Sequence, residues 1–284
     1  MATFQNQATL SYGDNVINSN VVTGELVTVL SATKTAIKST YTANSEAAYI
    51  VTLTNTGASD LTAVTITDDL GAYEIGGQTY RPLTYVDGSA LVLTNGSVVQ
   101  TPTVTADDSL VISGITVPAL GSVTVYYAAA VNEYAPLTVG SSITNTAVIT
   151  SDSITSPITV SSEITVSETA NLTITKSLCP LSVSENGEIT YTFTIQNFGN
   201  TAAGTEDNVT VTDMFSPILS DIAVLLDGTA LTEPDGYTYS ETTGAFATVP
   251  GVITVPAATF TQDESTNQWI ITPGSAVLTV KGTV

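Results

Sequence analysis

An internal repeat is the feature that most constrains the fold of this chain, because it requires one structural unit to occur twice. The segment 33–68 recurs as 175–213. Five matched pairs anchor the alignment: Lys34 with Lys176, Tyr49 with Tyr191, Asn55 with Asn197, Gly57 with Gly199, and Asp68 with Asp213. The spacing from the lysine to the asparagine is 21 residues in both copies (34 to 55 and 176 to 197). The sequence therefore predicts two copies of one domain in tandem.

Alternating apolar and polar residues predict that each copy is built from β-strands. The run AYIVTLTN at 48–55 has the period of two that is typical of a half-buried strand. Gly, Pro, Asn and Asp separate the runs, and no segment of helical period competes convincingly. Similar runs lie at 62–67, 123–127, 143–150, 189–196, 208–212 and 276–280. We predict an all-β protein of two tandem Ig-like β-sandwich domains, at 29–166 and 167–284.

Composition argues against catalysis and against a nucleic-acid partner. With 5 Lys+Arg against 26 Asp+Glu, the formal net charge is -21, so no basic surface exists to bind phosphates or anionic lipids. The absence of histidine and the single cysteine remove the commonest general base, the commonest metal ligand and any intrachain disulfide. Acidic loops at 205–208 and 261–264 could bind calcium, but solubility explains them better. We expect no enzyme, no cofactor and no metal site.

Hydropathy predicts no membrane insertion. No apolar run reaches the length of about eighteen residues that a membrane helix needs, and the N-terminus MATFQNQATLSY lacks the basic and apolar regions of a signal peptide. Two explanations remain open for a surface protein of this kind. Either a leader was replaced, or the protein assembles inside a cell that later releases it, as happens for material laid on bacterial spores.

The repeat resembles a known family, the "domain of unknown function eleven" conserved repeat of bacterial surface proteins. The family pattern is a TK strand, a GxxxxYTxTxxNxG hairpin and a VTVTD strand, and it is similar to the sequence at 175–213. The first copy departs from it, with Ser45-Glu46 where the second has Asn186-Gly187-Glu188. The resemblance implies an Ig-like fold and a structural role in stalks, sheaths or spore appendages.

The second domain lacks strands that the first domain has. After its VTITD strand, the first domain runs through GSVTVYYAAAV at 121–131 and then adds two Val/Thr strands at 143–166. The second domain reaches the matching point with GSAVLTVKGTV at 274–284, and no such strands follow. Strands of this character lie at the N-terminus instead. There NQATLS at 6–11 reads like NTAVIT at 145–150, and each is followed by a polar turn and a second strand.

We therefore predict that residues 1–28 form a donor-strand arm. A sandwich without its last strands leaves backbone groups unpaired and an apolar groove open, which favours strand addition from a neighbouring copy. An arm at one end and a groove at the other make a heterologous interface, which propagates into a filament. The expected partners are copies of the chain itself, with an unidentified anchor. Two alternatives remain: the arm folds back onto its own second domain, or it adds an edge strand to the first.

Three residues of the first domain form a candidate reactive group. Lys34 lies on the first strand, Asp68 ends the VTITD strand, and Asn145 opens the closing strand. They resemble the group found in surface-protein sandwiches that form spontaneous isopeptide bonds. Burial would lower the pKa of the lysine and raise that of the acid, so that a neutral amine attacks an amide polarised by the protonated acid. The resemblance implies an intrachain bond between Lys34 and Asn145, promoted by Asp68.

The second domain repeats two members of this group and takes the third from the arm. Lys176 and Asp213 match the lysine and the acid, and Asn6 matches the asparagine. The implied bond joins Lys176 to Asn6 of another copy, promoted by Asp213. The alternative is that each lysine forms only a partly buried ion pair with its aspartate. Cys179 aligns with Ile37 and is expected to point into the core.

Two functions of different classes follow from the sequence. The first is a structural subunit that assembles head to tail by donor-strand complementation into an extracellular fibre or spore appendage on a bacterial cell or spore surface. The second is a ligand-binding stalk or adhesin module. In that case, long loops at 71–104 and 219–248, rich in Tyr, Gly and Asp, would bind the ligand.

Overall fold

The structure, a computed structural model, describes residues 2–26 and 28–284, and nearly all of its regular elements are β-strands. One short 3-10 helix, Thr205–Asp207, interrupts them. No helix in this part of the chain has the length and apolarity needed to span a membrane. The predicted all-β fold is confirmed.

The chain divides into two compact units. The first contains the described residues up to Asn132 together with Ile143–Ile164. The second contains Glu133–Ser142 and Thr165–Val284. Each unit has its own buried core, so each is described separately below.

Antiparallel strands form the arm and both sandwiches. The arm contains β1 (Ala2–Asn6), β2 (Thr9–Tyr12), β3 (Asn15–Asn18) and β4 (Val22–Leu26). The first sandwich contains β5 (Leu30–Ala36), β6 (Thr40–Tyr41), β7 (Glu46–Asn55), β8 (Leu61–Asp68), β9 (Tyr73–Ile75), β10 (Gln78–Tyr80), β11 (Leu83–Tyr85), β12 (Leu91–Thr94), β13 (Val98–Gln100), β14 (Thr103–Ala106), β15 (Leu110–Val117), β16 (Ser122–Val131), β17 (Ser142–Thr150) and β18 (Ile158–Val166). The second contains β19 (Leu172–Cys179), β20 (Glu188–Asn197), β21 (Thr212–Met214), β22 (Ser220–Leu226), β23 (Thr229–Ala230), β24 (Tyr237–Tyr239), β25 (Ala245–Thr248), β26 (Thr259–Gln262), β27 (Trp269–Thr272) and β28 (Gly274–Thr283).

Two six-stranded sheets build the first sandwich. One has the order β13-β12-β16-β7-β5, with β11 also paired to β16, and the other has the order β14-β15-β8-β17-β18-β6. Alternate residues of β7 are buried, as its period of two predicts. Tyr49 and Leu53 of β7 and Ile66 of β8 are almost fully buried. The closing strands contribute to the same core, because Ile149 of β17 is fully buried.

The second sandwich has a similar first sheet and a smaller second one. Its five-stranded sheet has the order β19-β20-β28-β22-β23, in which the first three strands correspond to β5, β7 and β16. Its other sheet contains only β21, β25 and β24. Phe193, Leu278 and Phe246 belong to the core that lies between these sheets. Strands β26 and β27 pair with each other as a separate hairpin.

The repeated asparagine is a buried structural residue in both copies. The Asn55 side-chain nitrogen donates to the carbonyl oxygens of Ser59, Val117 and Pro118, and its oxygen accepts from the Gly57 backbone N–H. Asn197 makes the equivalent bonds in the second sandwich. The asparagine therefore satisfies buried backbone groups at a turn, which explains why the same residue type recurs at this position in both copies.

The arm is a hairpin of its own. β1 pairs with β4 and β2 pairs with β3, and the chain reverses at Gly13-Asp14. The Ser19 N–H donates to the Ala8 carbonyl at 2.8 Å, which joins the two paired stretches. Within the described residues of the first unit, the arm strands pair only with each other and not with an edge strand of the first sandwich. The alternative in which the arm pads the first domain is not observed.

Three local expectations are wrong. The predicted strand at 208–212 is irregular until Thr212, because the 3-10 helix Thr205–Asp207 ends at Asn208 in the left-handed conformation, with a φ of 51°. The predicted long loops at 71–104 and 219–248 contain the short strands β9–β13 and β22–β25. Cys179 is exposed rather than buried, because the alternation of β19 turns Lys176 inward and Cys179 outward.

Candidate functional site

The first site lies in the core of the first sandwich and joins its two sheets. Lys34 comes from β5 in one sheet, and Asp68 ends β8 in the other. The Lys34 Nζ donates a hydrogen bond to Asp68 Oδ2 at 2.5 Å, and both side chains are 0% exposed. The alternation of β5 directs Leu30 and Lys34 inward. The predicted pair is therefore formed and fully enclosed.

Asn145 joins this pair through a tyrosine. The Tyr127 hydroxyl donates to Asp68 Oδ2 at 2.5 Å and accepts from the Asn145 Nδ2 at 3.1 Å. Asn145 is fully buried, and its Oδ1 has no hydrogen-bond partner. Ala147 of β17 lies opposite Asp68, so Asn145 is two positions along the same inward face. The structure thus brings all three predicted residues of the first domain into one network.

Burial and charge act in opposite directions on the lysine. Burial lowers the pKa of Lys34 from its usual 10.5, while the charge and hydrogen bond of Asp68 act to raise it. The Tyr49 ring lies 5.1 Å from the Lys34 Nζ and faces the ammonium. Because desolvation is the larger effect, the neutral amine forms at lower pH than it does in water. This is the form that a nucleophilic lysine requires.

The second site has the same ion pair in an open setting. Lys176 of β19 binds Asp213 of β21, and their side chains are 40% and 18% exposed. The Lys176 Nζ lies 4.5 Å from the centre of the Tyr191 ring. The pair borders a cleft of about 360 Å³, whose wall also includes Ile174, Phe193 and Val211. An apolar cleft with a lysine and an acid at its edge is therefore accessible from outside.

A missing neighbour explains why the second site is open. In the first sandwich, β8 pairs with β15 on one side and with β17 on the other. The corresponding strand β21 pairs only with β25 among the described residues. The inner faces of β5 and β19 differ accordingly, since Leu30 is 3% exposed and the equivalent Leu172 is 37% exposed. The strand that carries the lysine is therefore present in both sandwiches, but its inward-facing side chains are buried only in the first.

The residue at the position of Tyr127 also differs between the two sites. Tyr49 lies opposite Tyr127 in the first sandwich, and Tyr191 lies opposite Val280 in the second. Phe215 stacks on Tyr191 with ring centres 4.9 Å apart, as Tyr127 does on Tyr49 at 5.4 Å. The second site therefore keeps the aromatic stack and loses the hydroxyl. Sequence reasoning missed Tyr127, which lies outside the repeated segment.

Asn6, the remaining predicted residue, is exposed on the arm. It lies on β1 opposite Val22. The same face of the hairpin carries Phe4, 56% exposed, and Leu10, 61% exposed, whose cross-strand partner Ile17 is also exposed. The other face is mostly polar, so the hairpin is amphipathic and its apolar face is uncovered.

Within the described residues, no group of three or more metal-ligating side chains is close enough to bind a metal ion. Asp263, in one of the acidic loops considered for calcium, accepts hydrogen bonds from Ser265 and Thr266 instead. These bonds lower its pKa to about 2. The carboxylate therefore stabilises its own turn.

The two acids should contribute unequally to stability. We expect Asp68→Ala to lower the free energy of unfolding by about 3 to 5 kcal/mol, because it leaves the buried Lys34 without a counter-charge. Asp213→Ala, the matched variant at the open site, should cost about 1 kcal/mol or less. Calorimetry of the chain that lacks residues 1–28, in which no arm can enclose the second pair, measures both effects. Equal losses would show that the two pairs are equally buried in solution.

Comparisons with known proteins give no family assignment. No protein-family model matches the chain, and no curated protein matches it. Among solved structures, the major pilin subunit BcpA of Bacillus cereus is 12% identical, with 96% of this chain and 73% of that chain covered and a TM-score of 0.38. A C-terminal fragment of the major pilin GBS80 of Streptococcus agalactiae is 13% identical, with 86% and 91% covered and a TM-score of 0.36.

A shorter match is the collagen-binding subdomain of the Enterococcus faecalis surface protein ACE. It is 10% identical, with 50% of this chain and 99% of that chain covered and a TM-score of 0.32. Similarity at these identities and TM-scores assigns neither a family nor an activity. We therefore infer the function from the geometry of the two lysine–aspartate pairs and the arm.

Proposed function

We propose that this protein is a structural subunit that assembles head to tail into a fibre. In this arrangement, the N-terminal arm of one copy closes the second sandwich of the next copy. One observation supports the proposal most directly: the inner faces of the equivalent strands β5 and β19 differ in burial. Closing strands bury the inner face of β5, and the inner face of β19 is open.

The open cleft has the properties of a strand acceptor. Leu172 and Ile174, on the inner face of β19, are 37% and 55% exposed. β21 presents one edge without a paired strand among the described residues. An unpaired strand edge beside an apolar cleft favours β-strand addition, because the added strand satisfies the backbone groups and its alternate side chains fill the cleft.

The arm has the properties of the matching donor. Its first half repeats the inward-facing pattern of β17, with an apolar residue, asparagine, alanine and a second apolar residue at alternate positions. The four matched pairs are Phe4 with Ile143, Asn6 with Asn145, Ala8 with Ala147, and Leu10 with Ile149. Three of the four β17 residues are 0% exposed, so the arm carries core side chains that lack a core of their own.

Pairing in the first sandwich specifies a register for the joint. Ala147 lies opposite Asp68 and Ile149 lies opposite Ile66 in the β17–β8 pair. The same register places Ala8 of one copy opposite Asp213 of the next and Leu10 opposite Val211. Asn6 then occupies the position that Asn145 has in the first sandwich, beside Lys176 and Asp213.

The joint leads to a polymer because donor and acceptor are different surfaces. Each copy offers one arm and one cleft, so every addition leaves a free arm at one end and a free cleft at the other. The proposed partners are copies of this chain. The motif resemblance supports an extracellular fibre or appendage of a bacterial cell or spore, and membership of the conserved-repeat class.

An amide bond can lock each sandwich. The neutral Lys34 Nζ attacks Cγ of Asn145, the bond from Cγ to Nδ2 breaks, and the nitrogen leaves as ammonia. Before the attack, the Lys34 ammonium gives one proton to Asp68, which is protonated at the end. In the net balance, the attacking neutral amine then gives a second proton to the leaving nitrogen and keeps one as the amide N–H. Lys176 and Asn6 of a neighbouring copy react in the same way beside Asp213. The first bond is intrachain and the second is interchain.

Intact-mass measurement tests the intrachain bond. We expect the Asn6→Ala variant, which removes the interchain bond, to weigh one ammonia less than its sequence predicts. Asp68→Ala added to this variant should keep that ammonia, because the acid that accepts the lysine protons is gone. A full mass for the folded Asn6→Ala variant would leave Lys34 and Asp68 as an ion pair only.

Negative-stain microscopy of the purified full chain tests the proposed function itself. The proposal predicts fibres of uniform width. Dispersed single particles would contradict it and would favour a ligand-binding stalk or adhesin module instead. Fibre formation requires no ligand, cofactor or enzyme in the sample.

A further inference from the structure

We propose that Tyr127 is a catalytic residue of the first site, and that its hydroxyl passes a proton from Asp68 to the departing nitrogen of Asn145. This inference rests on the proposed isopeptide bond and assigns a step of its formation. Neither the repeated motif nor the predicted lysine, acid and asparagine indicated a fourth participant.

Three hydrogen bonds in series support the assignment. The Lys34 Nζ donates to Asp68 Oδ2 at 2.5 Å, and the Tyr127 hydroxyl donates to the same oxygen at 2.5 Å. The Asn145 Nδ2 donates to the Tyr127 oxygen at 3.1 Å. This Nδ2 is the atom that must leave. Tyr127 is thus the group that connects the acid to the leaving nitrogen.

Burial makes a relay through the protein necessary. Asp68 and Asn145 are 0% exposed, and Tyr127 is 2% exposed. Bulk water therefore has no direct access to the leaving nitrogen. An amide nitrogen is a poor leaving group unless it is protonated, so a proton must reach it from a neighbouring side chain.

The proton transfers balance without an added reactant. Lys34 gives one proton to Asp68, and the neutral amine attacks Cγ of Asn145. Tyr127 gives its hydroxyl proton to Nδ2 and takes the proton of Asp68 in return. The carbon–nitrogen bond breaks, ammonia leaves, and the lysine nitrogen gives its second proton to Asp68. Tyr127 ends as it began, and Asp68 ends protonated.

The surroundings keep the tyrosine in its neutral form. Burial, together with the charge of Asp68, raises the pKa of Tyr127 above its usual 10. The hydroxyl therefore retains the proton that it passes on. Its ring stacks on Tyr49 with ring centres 5.4 Å apart, which limits the directions that the hydroxyl can take.

The second site provides an internal comparison. Val280 occupies the position of Tyr127, and the stacked ring of Phe215 has no hydroxyl. Within the described residues, no tyrosine donates to Asp213. The inference therefore predicts that the interchain bond forms more slowly than the intrachain bond.

The experiment follows ammonia loss in the full chain. Each variant carries Asn6→Ala, which removes the interchain bond. The variants are synthesised in a cell-free reaction. Samples taken at successive times are quenched in denaturant, and their intact masses are measured. Tyr127→Phe keeps the stacked ring and removes the hydroxyl. We expect it to slow ammonia loss by about 10²-fold, the lower end of the range for general acid–base catalysis. Tyr126→Phe, one position along β16 on its other face, should leave the rate unchanged.

A second measurement separates proton transfer from packing. A ring-fluorinated tyrosine at position 127 keeps the shape of the side chain and makes the hydroxyl more acidic. A relay predicts faster ammonia loss, whereas a packing role predicts no change. If the Tyr127→Phe and parent chains lose ammonia at equal rates, the proton relay through Tyr127 is wrong, but the proposed bond between Lys34 and Asn145 is supported. If the parent chain loses no ammonia, the proposed bond is wrong, and the relay fails with it.

Discussion

Fibres boiled in detergent should run as a ladder of subunit multiples, and Asn6→Ala should reduce that ladder to monomer. Lys176→Ala should have the same effect, because both residues supply atoms of the interchain amide bond. Lys34→Ala should keep the ladder, since it removes only the intrachain bond. Denaturing electrophoresis of purified fibres provides the measurement. The expected change is complete, because a covalent joint does not reverse under conditions that separate non-covalent subunits.

The arm itself provides a matched control for this prediction. Gln5 precedes Asn6 on β1 and belongs to the opposite face of the hairpin, so Gln5→Ala leaves the inserted face intact. The ladder should persist in this variant. Fibres of the Asn6→Ala variant should remain visible by microscopy before boiling, because strand addition does not need the bond. Wild-type fibres that dissolve completely to monomers on boiling would contradict the covalent joint.

Deletion of residues 1–28 should abolish fibres and give soluble monomers. The deleted chain keeps the cleft of the second sandwich and loses the only segment proposed to fill it. Negative-stain microscopy detects the loss of fibres. Fibres of normal width in the deletion variant would show that the arm is not the donor.

A separate peptide of the arm sequence should bind the chain that lacks residues 1–28 and stabilise its second sandwich without polymerisation. At a free peptide concentration of about 100 times its Kd, the expected stabilisation is about 2.7 kcal/mol. Trp269, the single tryptophan, belongs to the second unit and reports its unfolding by fluorescence. A control peptide with Leu10→Asp should not stabilise, because a charge would enter the apolar cleft beside Val211.

The repeated segment predicted the parts of the structure that local alternation and spacing determine. The alternation in 48–55 and its counterpart predicted the central strands β7 and β20. The repeated motif predicted that Lys34 would meet Asp68 and that Lys176 would meet Asp213, although the second copy has three more residues between them. Each lysine lies on the first strand and each aspartate on the VTITD or VTVTD strand, so side chains that alternate between two faces bring the same pair together in both copies.

Features that depend on pairing between distant strands could not be predicted in this way. Tyr127 reaches the first site through the register of β16 against β7, and its counterpart in the second sandwich is Val280. No repeat therefore signals the hydroxyl. The segment 208–212 has the sequence of a strand, but Asn208 ends a 3-10 helix in the left-handed conformation, and pairing with β25 begins only at Thr212. The exposure of Cys179, by contrast, follows from local alternation along β19, because Lys176 points inward three positions earlier.

The most direct test of head-to-tail assembly is a crosslink map of fibres grown from an equal mixture of isotopically heavy and light subunits. After protease digestion, mass spectrometry identifies the peptide that contains Asn6 joined to the peptide that contains Lys176. The account predicts linked pairs in which one peptide is heavy and the other light, together with all-heavy and all-light pairs, and each pair lighter by one ammonia. Linked pairs that always carry one isotope would show that the arm closes its own chain. Such a result, or fibres without any Asn6–Lys176 link, would contradict the proposed joint.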